Sequence, residues 1–315
     1  MLAFVSVFLS VACAPVSAIE AEISTISAIS TVTLSIRDPT RPSHQTTFDV
    51  AFDPSNTPAP AGVVAFAHGF GIGADHYSFV SQALVPLGFV VAFPHAAGAP
   101  SSKNLALDQA FIVQYLVAQG ANASSIFHGR TVNRTALMGH SLGGGTTLLG
   151  SDSSLLLGRY PAPHAIATLS LGTYTVPNAL KSASAVPAST PALLLTATQD
   201  CIDPPAKNSA PVLANLPTGC AALLSVVGGS HCQFAGADAG CTVTEKLCGA
   251  KPSITREAQQ SIAMRVVAPW LQRVLSPTPD DDMLPWGGAA FARALNASEA
   301  SGQLQVLGSR WDTCS

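Results

Sequence analysis

The most constraining feature of the sequence is a serine-centred turn at residues 139–143, which reads Gly-His-Ser-Leu-Gly. A strand-like run at 135–138 precedes it, and small residues suited to the start of a helix follow it. So tight a turn between a buried strand and a helix strains the backbone of the central residue, and glycine at the flanking positions avoids a clash. The sequence therefore predicts a strand, turn and helix that hold the Ser141 hydroxyl above the edge of a sheet.

Apolar runs alternate with helical patterns along most of the chain. Two segments of alternating polarity predict antiparallel strands at 32–36 and 46–52. Continuous apolar runs, typical of parallel strands buried on both faces, occupy residues 62–67, 88–93, 133–138, 165–171, 192–197 and 221–227. Helices are predicted over 75–87, 104–119 and 255–275. We predict an α/β fold with a doubly wound, mostly parallel sheet, and the segment 172–190 is too short for a large helical lid.

The N-terminal segment predicts export from the cytoplasm. Residues 1–18 carry no charge, have a short apolar centre and end in Val16-Ser17-Ala18, a small-x-small cleavage pattern. An uncleaved anchor is the alternative, but the apolar centre is short for a bilayer span. We therefore expect a signal peptide over 1–18, one domain over 19–275 and a C-terminal extension over 276–315, preferring a solvated tail over an extension packed on the core.

Composition narrows the classes of partner. The net charge is −3 and only 10% of the residues are charged, with no basic stretch, which argues against nucleic-acid binding and polybasic membrane attachment. We expect a secreted monomer without a stable membrane span. The cysteines outside the predicted signal peptide are even in number, which predicts three disulfides of open connectivity: Cys201, Cys220, Cys232, Cys241, Cys248 and Cys314. Three sequons predict glycosylation at Asn122, Asn133 and Asn296.

Ser141 has candidate partners for nucleophilic chemistry downstream. A serine hydroxyl needs a base within hydrogen-bond reach and an acid that orients the base. Asp200 directly follows the strand-like run 193–199, which places it at the same sheet edge as Ser141, and Asp203 is the alternative acid. His231 follows another predicted strand and a Gly-Gly turn, and it is the only histidine after Asp200. We therefore predict a triad of Ser141, Asp200 and His231.

Residues beside the triad have predicted supporting roles. An oxyanion needs two backbone N–H donors, for which we predict Leu142 and, in the His-Gly-Phe-Gly loop at 68–71, Phe70, with its neighbouring glycines as alternatives. His140 is interpreted as a structural residue of the turn. Tyr174, in the loop after the predicted strand 165–171, is a candidate substrate-binding aromatic.

The motifs together resemble a known group, the α/β hydrolases of the dienelactone hydrolase, chlorophyllase and cutinase (polyester hydrolase) type. The resemblance spans roughly residues 60–275 and rests on the segments at 68–71, 88–91, 139–144, 199–204 and 228–231. It implies an α/β-hydrolase fold and ester hydrolysis without a metal or organic cofactor.

The leading hypothesis is a secreted serine carboxylic-ester hydrolase that forms an acyl-enzyme on small to medium esters or lipids. Within this class, a chlorophyllase-like or a polyester hydrolase is the alternative substrate assignment, and a peptidase or amidase is the alternative reaction. A non-catalytic binding relative of the same fold is the alternative from another class.

Overall fold

The computed structural model describes the chain over residues 7–9, 19–21, 23–26, 29–55, 59–95, 101–174, 176–275 and 288–310. Side chains are described from residue 29 onward, except at 288–291 within the last helix. Most of the predicted signal peptide, the whole of 276–287 and Cys314 lie outside the described residues. None of the described helices is long and apolar enough to cross a membrane.

A central sheet organises the described residues. Strands β1 (Val7–Leu9) and β2 (Ile19–Ala21) form a separate two-stranded antiparallel sheet. The sheet comprises β3 (Ile23–Ile26), β4 (Ile29–Arg37), β5 (Gln45–Phe52), β6 (Gly62–Ala67), β7 (Phe89–Pro94), β8 (Thr135–His140), β9 (Ala165–Leu169), β10 (Ala192–Ala197), β11 (Ala221–Val226) and β12 (Leu304–Arg310). Its spatial order is β12-β11-β10-β9-β8-β6-β7-β5-β4-β3. Strands β6 to β11 are mutually parallel, whereas β3, β4, β5 and β12 pair antiparallel with their neighbours.

Helices cover both faces of this sheet. They are α1 (Ser78–Leu84), α2 (Ser102–Ala121), α3 (Leu142–Leu149), α4 (Ser153–Leu156), α5 (Ala179–Ala183), α6 (Ser209–Asn215), α7 (Ala239–Cys248), α8 (Arg256–Val274) and α9 (Gly288–Ala300). Apolar residues of α1 and α8 share one core cluster, whereas α2, α3, α5 and α6 contribute to the clusters on the opposite face. The parallel strands are buried throughout because helices cover both of their faces. The predicted doubly wound α/β fold is confirmed.

Two predicted elements differ from the structure. The helix expected over 75–87 is divided into a 3-10 turn at Ala74–Tyr77, α1, and a second 3-10 turn at Val85–Leu87. Pro86 lacks the N–H that would continue the helical ladder, and Gly88 ends the segment with φ 88°. The strand expected to reach residue 171 ends at Leu169, because Ser170 has a positive φ of 41°.

The interpretation of the C-terminal extension as a solvated tail is wrong for residues 288–310. Helix α9 packs on α8, and β12 pairs antiparallel with β11 at the edge of the sheet. Leu295 and Leu304 are buried in the same core cluster as α8. The extension therefore completes the sheet next to β11, the strand that leads to His231.

Candidate active site

Ser141 occupies the strained turn that the sequence predicts. Its backbone has φ 54° and ψ −119° at the N-terminal end of α3, a region that non-glycine residues rarely adopt. A Cβ on Gly139 would lie 2.3 Å from the carbonyl oxygen of Gly143, and one on Gly143 would lie 2.0 Å from that of Ala67. Both glycines are therefore required by close backbone approach. The turn holds Ser141 at the end of β8.

The other predicted residues follow neighbouring strands at the same edge. Strands β6 and β8 pair with Ala67 opposite Gly139, so the loop at 68–71 lies beside Ser141. Strands β10 and β11 also pair in parallel, and the N–H of Gln199 donates to the carbonyl of Gly229 at 2.9 Å. This bond joins the loop of Asp200 to the loop of His231. All these loops meet at the carboxyl edge of the parallel strands, where ligands bind in open α/β sheets.

Asp200 and His231 form a buried pair. Asp200 Oδ2 lies 3.0 Å from His231 Nδ1, and both side chains are almost fully buried. A carboxylate only accepts hydrogen bonds, so in this pair Nδ1 carries the proton and Nε2 of the neutral ring keeps its lone pair. Burial acts to lower the pKa of His231, but the charge and hydrogen bond of Asp200 outweigh it and the pKa is raised. This arrangement prepares Nε2 to accept a proton.

Two further carboxylates face the same ring. Asp203 Oδ2 lies 3.8 Å from His231 Nδ1, and the charges of Asp203 and Glu245 both contribute to the raised pKa of His231. Glu245 Oε1 also accepts the backbone N–H of Cys232 at 2.6 Å. The sequence gives no local signal for Glu245, because it reaches the site from α7.

The Ser141 hydroxyl and the His231 ring share no hydrogen bond among the residues that the structure describes. A hydrogen bond with Ser141 is one of the effects on the pKa of Asp203. In the part of the chain that the structure describes, the His231 ring bonds to Asp200, and no hydrogen bond joins it to Ser141. Catalytic hydrogen bonds of ligand-free enzymes are often long and tighten only when substrate binds. The missing bond between Ser141 and His231 is therefore compatible with a nucleophile and a base at this edge.

Two backbone donors are available near the serine. The N–H groups of Phe70 and Leu142 donate no hydrogen bond to any residue that the structure describes. Leu142 is the first residue of α3, where a helix leaves its N–H groups unpaired and electropositive. The side chain of Phe70 is 65% exposed, so this residue is not a core aromatic.

A chain of buried hydrogen bonds connects three loops of the site. The Gly69 N–H donates to Tyr77 Oη at 2.9 Å, and the Tyr77 hydroxyl pairs with His140 Nδ1 at 2.9 Å. His140 Nε2 donates to the backbone carbonyl of His231 at 3.1 Å, so Nδ1 of a neutral His140 accepts from Tyr77. Burial, aided by the nearby His231 ring, lowers the pKa of His140 well below its usual value. The predicted structural role of His140 agrees with these bonds.

Disulfide bonds join helix α7 to the loop of Asp200 and to the loop of His231. Cys201, directly after Asp200, is bonded to Cys248, and Cys232, directly after His231, is bonded to Cys241. The sequence left this pairing open. Cys220 is also disulfide-bonded.

The N-terminal turn of α8 holds the backbone around His231. Gln259 accepts the Ser230 N–H at 2.8 Å and donates to the Ser230 carbonyl at 2.7 Å. Arg256 Nη1 donates to the carbonyls of Cys232, Ala235 and Gly236. These side chains were missed by sequence reasoning, because their partners are backbone atoms more than 19 positions away.

The remaining predicted residues lie on the surface. Tyr174 is 69% exposed in the loop that follows β9. Among the sequon residues, Asn133 and Asn296 are exposed and Asn122 is half-buried. Over the described residues, no group of three His, Cys, Asp or Glu side chains is arranged to hold a metal ion.

Comparison with known proteins gives one family. The family model PETase, described as PET hydrolase-like, matches residues 31–251, more than two thirds of the chain. The matched range contains Ser141, Asp200 and His231 together with the loop at 68–71. A sequence search of curated proteins finds no match.

Proposed function

Because the chain belongs to the PET hydrolase-like family, we propose that it is a serine carboxylic-ester hydrolase in which Ser141, His231 and Asp200 act as a triad. The observation that carries the proposal is the strained backbone of Ser141 at the same sheet edge as the buried Asp200–His231 pair. Strain in a non-glycine residue persists only where the surrounding structure enforces it, and it clusters at functional sites.

The proposed reaction begins with attack by Ser141 Oγ on the ester carbonyl carbon. His231 Nε2 takes the proton of the Ser141 hydroxyl as the new C–O bond forms. The imidazolium then gives this proton to the leaving alcohol, and Asp200 stabilises its charge. Water activated by the same nitrogen releases the acid and restores Ser141.

The tetrahedral intermediate carries a negative oxygen, for which we propose the N–H groups of Phe70 and Leu142 as donors. Preorganised backbone donors of this kind contribute strongly to acyl transfer because they need no reorganisation as charge develops. The hydrogen bond between Gly69 and Tyr77 fixes the loop that presents Phe70.

A polyester substrate is a second candidate within the same chemistry. Two observations favour it: Phe70 and Tyr174 expose their rings in loops at the edge that carries Ser141, and between β9 and β10 the described residues form only the short helix α5. An uncovered site with exposed aromatic rings suits an extended aromatic ester chain, because ring faces stack favourably.

A substrate panel tests the proposal. We expect wild-type protein to hydrolyse p-nitrophenyl esters, while the matched p-nitroanilides react far more slowly. Release of soluble acid from an aromatic polyester film would extend the activity to polymers. Anilide turnover equal to ester turnover would favour the amidase alternative, and absence of turnover on every substrate would favour a non-catalytic relative.

The pH profile provides a further prediction. His231 must be neutral to act as a base, and its pKa is raised above the ordinary 6.5. We therefore expect kcat/KM to fall with acid around a midpoint above 6.5. Stability should respond in the opposite direction, because a raised histidine pKa stabilises the fold fully below the unfolded pKa and loses that contribution as pH rises through the folded pKa.

The control for this profile is a histidine outside the site. His128 is exposed, so His128→Gln should keep the same midpoint. A wild-type midpoint at or below 6.5 would contradict the raised pKa of His231.

We also propose that the protein is secreted. The signal-like sequence of residues 1–18 supports this, and so do the disulfides Cys201–Cys248 and Cys232–Cys241, which persist in oxidising compartments. Detection of the protein in the culture medium, with an N-terminus at residue 19, is the expected result.

A further inference from the structure

Asp203 is a second buried carboxylate at the base. Its side chain is only 5% exposed, and its backbone N–H donates to Asp200 Oδ1 at 2.7 Å. The same turn brings Asp203 Oδ2 to 3.8 Å from His231 Nδ1, the nitrogen that already bonds to Asp200. One loop therefore presents two carboxyl groups to one ring nitrogen.

Within the described residues, the one ion-pair partner of the Asp203 carboxylate is His231. It is the backbone N–H of Asp203, and not its carboxylate, that holds the turn through Asp200. Burial raises the pKa of Asp203 to about 6, and the charge of Asp200 raises it as well, whereas His231 and the Ser141 hydroxyl act to lower it. A positive charge on His231 therefore favours the ionised form of the buried Asp203 carboxyl group.

We propose that Asp203 is a positioning residue for the reaction proposed above: its carboxylate stabilises the imidazolium charge of His231 together with Asp200, and it accepts the hydrogen bond from Nδ1–H when the carboxylate of Asp200 is removed. The inference rests on the proposed function of Ser141 and His231. In this proposal two carboxylates serve the base His231, Asp200 at 3.0 Å and Asp203 at 3.8 Å from its Nδ1.

Electrostatics determine how large the effect should be. An opposite charge within about 4–6 Å of an ionisable group shifts its pKa by about 1–3 units, and Asp203 lies within that range of His231. Other titratable or charged groups also face His231 or the backbone around it: His140 from β8, Asp200, Glu245 from α7 and Arg256 from α8. Removing Asp203 therefore removes part of the negative field and leaves the rest.

The test compares Asp200→Asn, Asp203→Asn and the double variant, using kcat/KM for a p-nitrophenyl ester across pH. We expect Asp203→Asn to move the acid limb down by about 1 pH unit, because His231 loses a negative neighbour. Adding Asp203→Asn to Asp200→Asn should lower kcat/KM at least about tenfold further, because no carboxylate of this loop then remains to accept Nδ1–H and to stabilise the imidazolium charge. Asp203→Glu should restore the wild-type acid limb.

Asp75→Asn is the matched control, because Asp75 is an exposed carboxylate at 84% side-chain exposure and its loss should not move the acid limb. Thermal unfolding of each variant identifies a misfolded protein, and Asp203→Ser then serves as a smaller neutral replacement. An unshifted acid limb in both Asp203→Asn and Asp203→Ser, together with a double variant as active as Asp200→Asn, would overturn the inference. Absence of ester hydrolysis in the wild-type protein would instead overturn the proposed function.

Discussion

Replacing Ser141 with alanine is expected to lower kcat/KM for ester hydrolysis by at least about three orders of magnitude. The hydroxyl is the only group of residue 141 that the proposed reaction uses, and alanine removes it without adding volume to the turn that Gly139 and Gly143 pack so closely. The fold should therefore survive while the acyl-enzyme is lost. The measurements are initial rates on a p-nitrophenyl ester and covalent labelling by a fluorophosphonate, which reacts with activated serines.

Ser170→Ala is the matched control for this experiment. Ser170 is also a buried serine with a positive φ, 41°, and it ends the neighbouring strand β9. Its hydroxyl has no hydrogen-bond partner among the described residues, so this variant should keep both its rate and its labelling. Hydrolysis that persists in Ser141→Ala, with the label on another residue, would show that the nucleophile lies elsewhere.

The sequence was sufficient for the parallel strands of the sheet and for the order of the candidate catalytic residues. Strands such as β6, β8 and β10 are continuous apolar runs, because both of their faces are buried, and such runs are visible locally. Polar residues that follow these strands must then lie at one edge. This reasoning placed Ser141, Asp200 and His231 together without any contact information.

The sequence favoured Asp200 over Asp203 only because Asp200 directly follows the strand-like run. Asp200 and Asp203 follow the same strand, so the position of β10 allows either of them to reach the base. The distances from His231 Nδ1, 3.0 Å to Asp200 and 3.8 Å to Asp203, depend on how the turn folds. The backbone N–H of Asp203 closes that turn on Asp200, a contact that no residue pattern indicates.

Other features depend on contacts between distant segments. Strand β12 has only one fully buried residue, Leu304, so its alternation is weak, and it is held by pairing with β11 about 80 positions earlier. The link between Tyr77 and His140 joins residues 63 positions apart. Neither contact leaves a local pattern, which is why β12 was predicted as a tail and the role of Tyr77 was missed.

Of the two disulfides that join α7 to the site, the one to the loop of Asp200 should contribute more to stability. The Cys201–Cys248 bond closes a span of 47 residues, whereas Cys232–Cys241 closes a span of 9. A longer closed loop restricts the unfolded chain more, so removal of the first bond should cost about 4 kcal/mol of unfolding free energy and removal of the second about 3 kcal/mol. Unfolding of Cys201→Ser/Cys248→Ser and Cys232→Ser/Cys241→Ser by denaturant, without reductant, measures both costs.

The same two variants separate stability from positioning. Each variant keeps one of the two disulfides to α7. Cys201→Ser/Cys248→Ser releases the turn of Asp200 from α7, while the loop of His231 stays joined to α7 through Cys232. Under conditions where both variants are folded, we expect each to lose part of its kcat and to keep its fluorophosphonate labelling, because Ser141 is held by the sheet. Full activity in both variants would mean that hydrogen bonds such as Gln199 to Gly229 hold the acid and the base in place without α7.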